Sequence, residues 1–164
     1  MPNEKTIWLF KENLKEYKLE QKLFDLFASV LMEHGIVAKE GSIVDANFVD
    51  VPKQRNNREE NADIKKGTVP LSFAKKNKKG RQSKLSQKDT DARWMTKNNE
   101  RHYGYKDHIN VDKQTKIITK FTVTAASVHD SQEIKNLVNK EDKQLYADSA
   151  YRSKDIEAYL QEQG

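Results

Sequence analysis

The chain has 164 residues, room for one domain or one domain with a helical extension, and its 35% hydrophobic against 34% charged content is lean for a fully packed domain. The absence of cysteine excludes disulfides, thiol nucleophiles and Cys-ligated zinc, and no stretch approaches the roughly 20 apolar residues of a membrane span. Net charge is +5, but residues 53–100 hold 14 Lys and Arg against 6 Asp and Glu while the remainder holds 16 against 19, so the basicity is local and suits either a polyanion such as nucleic acid or a solvated loop.

From the N-terminus, TIWLFKENLKEY sets Ile7, Phe10, Leu14 and Tyr17 at helical spacings and predicts a helix with Thr6 as N-cap. LEQKLFDLFASVLMEHG predicts a second helix, with Leu19, Leu23, Leu26, Phe27, Val30 and Leu31 on one stripe and Gly35 as its stop. Both are expected to dock an apolar face on the rest of the domain, with a partner-binding or dimerising face as the alternative. After Gly35 the period drops to two. SIVDANFV, residues 42–49, reads as a strand with Asp45 on the face of Ile43 and Asn47, and Pro52 ends it. A carboxylate inside such a strand is costly unless it is paired, hydrated or bound to a cation.

Residues 53–100 carry few large apolar side chains and clusters such as KKNKKGRQSK, and they read as a basic, flexible insertion with at most a short helix over SQKDTDARWM, residues 86–95. Trp94 anchors that insertion or stacks on a base, anchoring being the preferred reading. HYGYKDHINVD and KIITKFTVTAA, joined by a polar turn at 112–115, predict an antiparallel hairpin with one buried face. SVHDSQEIKNLVNK predicts a helix with Ser127 or Asp130 as N-cap and Ile134, Leu137 and Val138 inward. QLYADSAY predicts a strand that gives out at Asp148, and SKDIEAYLQEQ a last helix capped by Ser153 with Asp155 in its first turn.

That order of strand, insertion, hairpin, helix, strand and helix is the order of an RNase H-like core. The expected fold class is therefore α/β, a mixed sheet with helices, preceded by a helical segment over 1–36 and interrupted at 53–100 by the basic insertion within 37–164. In such a core the last strand returns beside the first, which would join Asp45 and Asp148 across about a hundred residues of sequence.

SIVDANFV, HYGYKDHINVD, TVTAASVHDSQ and LYADSAYRS, in this order, resemble DDE transposases of bacterial insertion sequences, in the group named after insertion sequence five, with a family-four-like transposase domain. TIWLFKENL and LEQKLFDLF resemble the helical region that precedes the catalytic core there, so the likeness covers nearly the whole chain. The resemblance implies Mg²⁺, or Mn²⁺, held by three acids, cleavage of DNA at transposon ends and joining of the 3′-OH to target DNA. Hard divalent cations take carboxylate oxygens, and paired metals serve both the attacking and the leaving oxygen of a phosphodiester. Asp45 carries over as the first acid and Asp148 as the second, each a metal ligand.

The third acid of that family, a Glu on a later helix, has no counterpart. Glu157 comes nine positions after Asp148 and reads as part of a solvated helix face, and Glu162 is the only other Glu beyond it. The expectation is a C-terminally incomplete, truncated transposase, weak or inactive by itself. Lys75, Lys76, Lys78, Lys79, Arg81 and Lys84 of the insertion are candidate DNA contacts, as are Lys106 and Arg152, which read equally well as charge balance. His108, and His129 with Asp130, read as structural; Asp50 and Asp107 are rival carboxylates, with Asp50 at a frayed strand end.

Transposon-end and target DNA are the expected partners, with a homodimer or full-length transposase besides and no membrane. MPNEKTIW has no signal layout, and the cytoplasm is the expected compartment. The alternatives are a catalytically silent DNA-binding fragment and an RNase H-like nuclease outside transposition.

Overall fold

A computed structural model describes residues 1–54, 56–73, 88–139 and 143–163. The chain divides into two compact units, one of residues 1–45, 109–121 and 134–164, the other of residues 46–108 and 122–133.

In the first unit, Asn3 rather than Thr6 starts the opening helix: its Oδ1 accepts the Thr6 N–H at 2.9 Å, and α1 runs Glu4–Glu16. Helix α2 runs Glu20–Glu33, and Gly35 follows it with φ of +67°, the left-handed stop that its lack of a Cβ permits. The expected stripes are not the ones buried. Ile7, Phe10 and Tyr17 of α1 stay exposed, as do Leu23, Leu26, Phe27 and Val30 of α2. Helix α2 instead turns Ala28 inward and sets the Phe24 ring edge-on to Phe121, with ring centroids 4.8 Å apart.

Strand β1 is Ser42–Asp50, and its pairs with β5, Leu145–Ala147, are parallel: Ser42 with Leu145, Ile43 with Tyr146, Val44 with Ala147. Ser42 and Val44 point into the core while Asp45 is exposed. Burial of Ile134, Leu137, Tyr151 and Ile156 completes the apolar centre of this unit. The expected helix over 127–140 is shorter than its pattern suggests, a 3₁₀ turn at Asp130–Gln132 followed by α4 at Ile134–Leu137. Its N-cap is His129, which accepts from the Ser131 N–H, rather than Ser127 or Asp130. The last helix, α5, runs Lys154–Gln163, and Ser153 Oγ accepts the Ile156 N–H at 3.2 Å as the sequence predicts.

The second unit contains the largest departure from the sequence reading. Within the basic segment, α3 forms at Arg58–Lys65, where the Asn57 side chain caps the Glu60 N–H and Glu60 returns to the Asn57 N–H, a reciprocal capping box. The segment expected as helix at 86–95 is not helical where described; Arg93–Lys97 is β2, paired antiparallel with the start of β3, Glu100–Asp112. Strand β4, Ile118–Ala125, closes the hairpin with β3, and the sheet order is β2-β3-β1-β5 with β4 also on β3. This is a mixed α/β fold, consistent with an RNase H-like core. Gly104 has φ of +154°, and a Cβ there would lie 2.1 Å from the Val49 carbonyl oxygen, so the close approach of the two backbones requires glycine.

The face of β3 that is buried is the polar one: Gly104, Lys106, His108, Asn110 and Asp112. Each polar member has partners, which is the condition for burying it. Asn110 donates to the Leu137 carbonyl at 2.7 Å, and Asp112 accepts from the Thr115 N–H and hydroxyl at 2.8 and 2.7 Å. Burial alone would raise the Asp112 carboxyl, but these bonds and that from Lys39 N–H outweigh it and hold it below its usual value.

His108 is fully buried, with Nε2 2.8 Å from Thr124 Oγ1 and no partner at Nδ1 among the described residues. Burial lowers its pKa, as does the Lys106 charge, against the opposing pull of Asp130, Glu133 and Asp107. A lowered folded-state value means that the unfolded chain binds the proton more readily. The stability present above the ordinary His value of about 6.5 is then lost as pH falls below it. The urea midpoint is expected to drop between about pH 7.5 and 5.5 in the native chain, and the His108→Gln variant should show a flatter profile over that range. Equal slopes would remove His108 from the pH response.

Candidate metal centre

Two carboxylates stand where the parallel pair β1–β5 ends. Asp45 follows Val44 within β1 and Asp148 follows Ala147 just past β5, and Val44 and Ala147 are the last residues in register, so the two acids stand at the same level where the pairing ends. Neighbouring strands lie about 4.8 Å apart, close enough for two such side chains to reach one cation. Each strand places its acid for a local reason. Asp45 occupies an outward position between buried Val44 and half-buried Ala46, and Asp148 sits in extended backbone, φ −63° and ψ 158°, as the chain turns into the 3₁₀ segment Ser149–Tyr151. Both acids are exposed, so neither carries the cost of burying a carboxylate.

Around Asp148 a cavity of about 260 Å³ opens between β5 and α5. Ser149 Oγ donates to Asp148 Oδ1 at 3.0 Å, and Ile134 and Ile156 form part of the apolar wall. Arg152 Nε donates to Glu157 Oε1 at 2.7 Å on the same wall, and that bond and the carboxylate charge raise the Arg152 pKa above its ordinary value. The guanidinium is largely exposed, so it balances Glu157 and still faces solvent. Glu157 is exposed on α5, as the solvated-face reading expects, and there it pairs with Arg152. Among the described residues, no group of three or more His, Asp or Glu side chains converges as a metal site.

The remaining candidates are distributed differently. Lys75, Lys76, Lys78, Lys79, Arg81 and Lys84 lie outside the described residues. Lys106 is 3% exposed, with Nζ 2.7 Å from both the Val128 carbonyl and Asp130 Oδ1, so its place as a phosphate contact is corrected: its donors face the interior and neutralise Asp130. His129 is accounted for by the turn it caps and Asp130 by its pair with Lys106, which fits the structural reading. Asp50 is exposed at the end of β1, 3.4 Å from His102 Nδ1, and that ring stacks on Phe48 at 4.3 Å.

One constellation escaped the sequence reading. Asp89 accepts the Tyr105 hydroxyl at 2.7 Å and the backbone N–H groups of Asp91 and Ala92, both at 2.9 Å, closing the segment before β2 onto β3. Burial raises the Asp89 carboxyl less than these bonds lower it, and burial together with Asp89 pushes the Tyr105 hydroxyl well up. The signal available was the DTD triplet at 89–91, an Asx-turn pattern.

Compared with known families, residues 38–164 match the model of the transposase DDE domain, which spans β1, β5 and both acids. No solved structure matches the chain.

Proposed function

The chain belongs to the transposase DDE-domain family, and from that premise we propose that Asp45 and Asp148 are two of its acids, holding Mg²⁺ or Mn²⁺ for cleavage and joining of DNA at the ends of an insertion sequence. The observation that carries this reading is the register of β1 and β5, which ends one residue before each acid. Exposed carboxylate oxygens where the strand pairing ends suit a hard divalent cation, which when bound would polarise a phosphodiester oxygen and lower the pKa of an attacking water. The chain's own residues orient that centre: the strands fix the spacing of the two acids, Ser149 holds one oxygen of Asp148, and Arg152 presents positive charge beside it.

Duplex DNA is the proposed substrate, drawn by the excess of basic residues at 53–100, and the insertion-sequence-five group is the proposed lineage. Binding should weaken roughly 100-fold between about 50 and 200 mM salt, the fall expected for about four neutralised phosphates. Replacing Lys75, Lys76, Lys78 and Lys79 by Ala should shrink that slope; an unchanged slope would place the contacts elsewhere.

A second reading has an observation in its favour. No third acid joins Asp45 and Asp148 among the described residues, and a DNA-binding chain that cleaves weakly or not at all would follow. Incubation with terminal-repeat DNA and Mn²⁺ separates the two. Cleavage abolished by Asp45→Ala supports the enzyme, whereas salt-sensitive binding that survives Asp148→Ala without cleavage supports the silent binder. Cleavage indifferent to terminal repeats would instead mark a nuclease outside transposition.

A further inference from the structure

Helices α1 and α2 expose the side chains that their spacing would bury. On α2, Leu23, Leu26, Phe27 and Val30 stand at i, i+3, i+4 and i+7 as one continuous stripe, and Leu26 and Phe27 are each 61% exposed. Ala28 and Phe24 turn to the protein instead, Phe24 against the Phe121 ring. Helix α2 is therefore apolar on two sides, and only one of them is covered among the described residues. Along α1 and its C-cap, Phe10 and Tyr17 lie seven residues apart, both more than half exposed, and no residue of that helix is buried. A helix of 13 residues is marginal in water by propensity alone, because most helical stability comes from packing an apolar face. The described residues give α1 little of that packing.

The chemistry of these faces selects what covers them. Helix α2 carries Glu20, Asp25 and Glu33 against the single basic residue Lys22, an acidic excess that suits neither an anionic lipid surface nor DNA, both of which need Lys and Arg. The stripe itself holds no charge, so it suits another uncharged helix face. Its extent fits one chain's share of a stable interface: at about 200 Å² for a large side chain fully exposed, the six residues named leave on the order of 700 Å² open, against about 800 Å² per partner in a standard interface. A second copy offers the same stripe, so a two-fold pairing covers both at once without burying an unpaired charge. Antiparallel pairing also sets the N-terminal end of one α2 beside the C-terminal end of the other, where the helix dipoles attract. Two copies of α1 and α2 supply the four helices of a bundle.

We propose that α1 and α2 form the interface of a homodimer of this chain, the α2 stripes packing antiparallel with Leu26 and Phe27 at the centre and Leu23 of each copy against Val30 of the other. The interface stands apart from the metal and DNA readings and needs neither.

Sedimentation velocity of the native chain from about 1 to 100 µM should show a monomer–dimer equilibrium, with dimer dominant at the upper end. Leu26→Glu and Phe27→Glu, both at exposed positions, should leave the far-UV circular dichroism of dilute protein unchanged and weaken association at least about 30-fold, the loss expected for a central interface side chain. Leu26→Met, which conserves volume and polarity, should stay within about 10-fold of the parent. The native chain supplies a measurement that needs no variant: amides of α1 and α2 should exchange more slowly at the upper concentration than at the lower. A chain that remains monomeric at about 100 µM, or exchange independent of concentration, overturns the proposal. So does a dimer that both Glu variants leave intact, which would use another face, and so does a monomer that buries the stripes against a different protein.

Discussion

Asp45→Ala and Asp148→Ala should each lower Mn²⁺ affinity by about 100-fold, because each removes a charged ligand from the same cation, and even groups that only support ligands typically cost 10–100-fold. Calorimetric titration of the folded chain checks this without any need for catalysis. The double variant should bind no more weakly than either single one, since residues sharing one ion act as a unit and their losses do not add. Asp45→Asn tests the charge itself: it keeps the side chain's size and loses the anionic oxygen that a hard cation prefers. Asp50→Ala is the control, an exposed acid on the same strand beside His102, and its affinity should match the parent. Mn²⁺ binding that survives both alanine variants would sink the assignment of the acid pair.

Lys106→Ala should destabilise the protein by about 3–5 kcal/mol, the usual cost of breaking a buried ion pair from one side. The ammonium is buried, bonded at 2.7 Å to the Val128 carbonyl and at 2.7 Å to Asp130, and lies 5.5 Å from the Phe48 ring centroid. Removing it strands a carboxylate that is only 14% exposed and leaves a carbonyl without its donor. Lys106→Met with Asp130→Leu, which removes both charges together, should lose less than the two single changes combined. Denaturant titration measures the cycle, and a Lys106→Ala loss below about 1 kcal/mol would contradict the buried pair. DNA affinity of the folded Lys106→Met variant should match the parent, because the ammonium is buried against the Val128 carbonyl and Asp130 and out of reach of phosphate.

The elements that local pattern controls were legible in the sequence. Gly35 stops α2, Ser153 caps α5, the 112–115 turn joins β3 to β4, and the strands that carry Asp45 and Asp148 lie where period-two alternation places them. Helix α3 was legible too, through Asn57 and Glu60 at capping-box spacing, but the surrounding charge drew the reading towards disorder. Residues 93–97 were not: RWMTK becomes strand because β3 supplies its hydrogen-bond partners, and pairing outweighs a weak local preference. The shortening of the helix over 127–140 has a similar cause, since Lys106 holds Val128 and Asp130 before the helical turn begins.

By itself, then, the sequence determined most of the strands and helices, where the positive charge concentrates, and that one acid lies within a strand and another where a strand gives out, because spacing, capping and turn chemistry act within a few residues. Only the tertiary structure decided that β1 and β5 run parallel with Asp45 and Asp148 at the same level, that β3 buries its polar face, that Lys106 points inward, and that Trp94 borders a pocket. Those outcomes depend on partners far along the chain. A buried Lys, His or Asn is tolerable only where a carbonyl, a hydroxyl or a carboxylate waits for it, and no local pattern tells which face will find them.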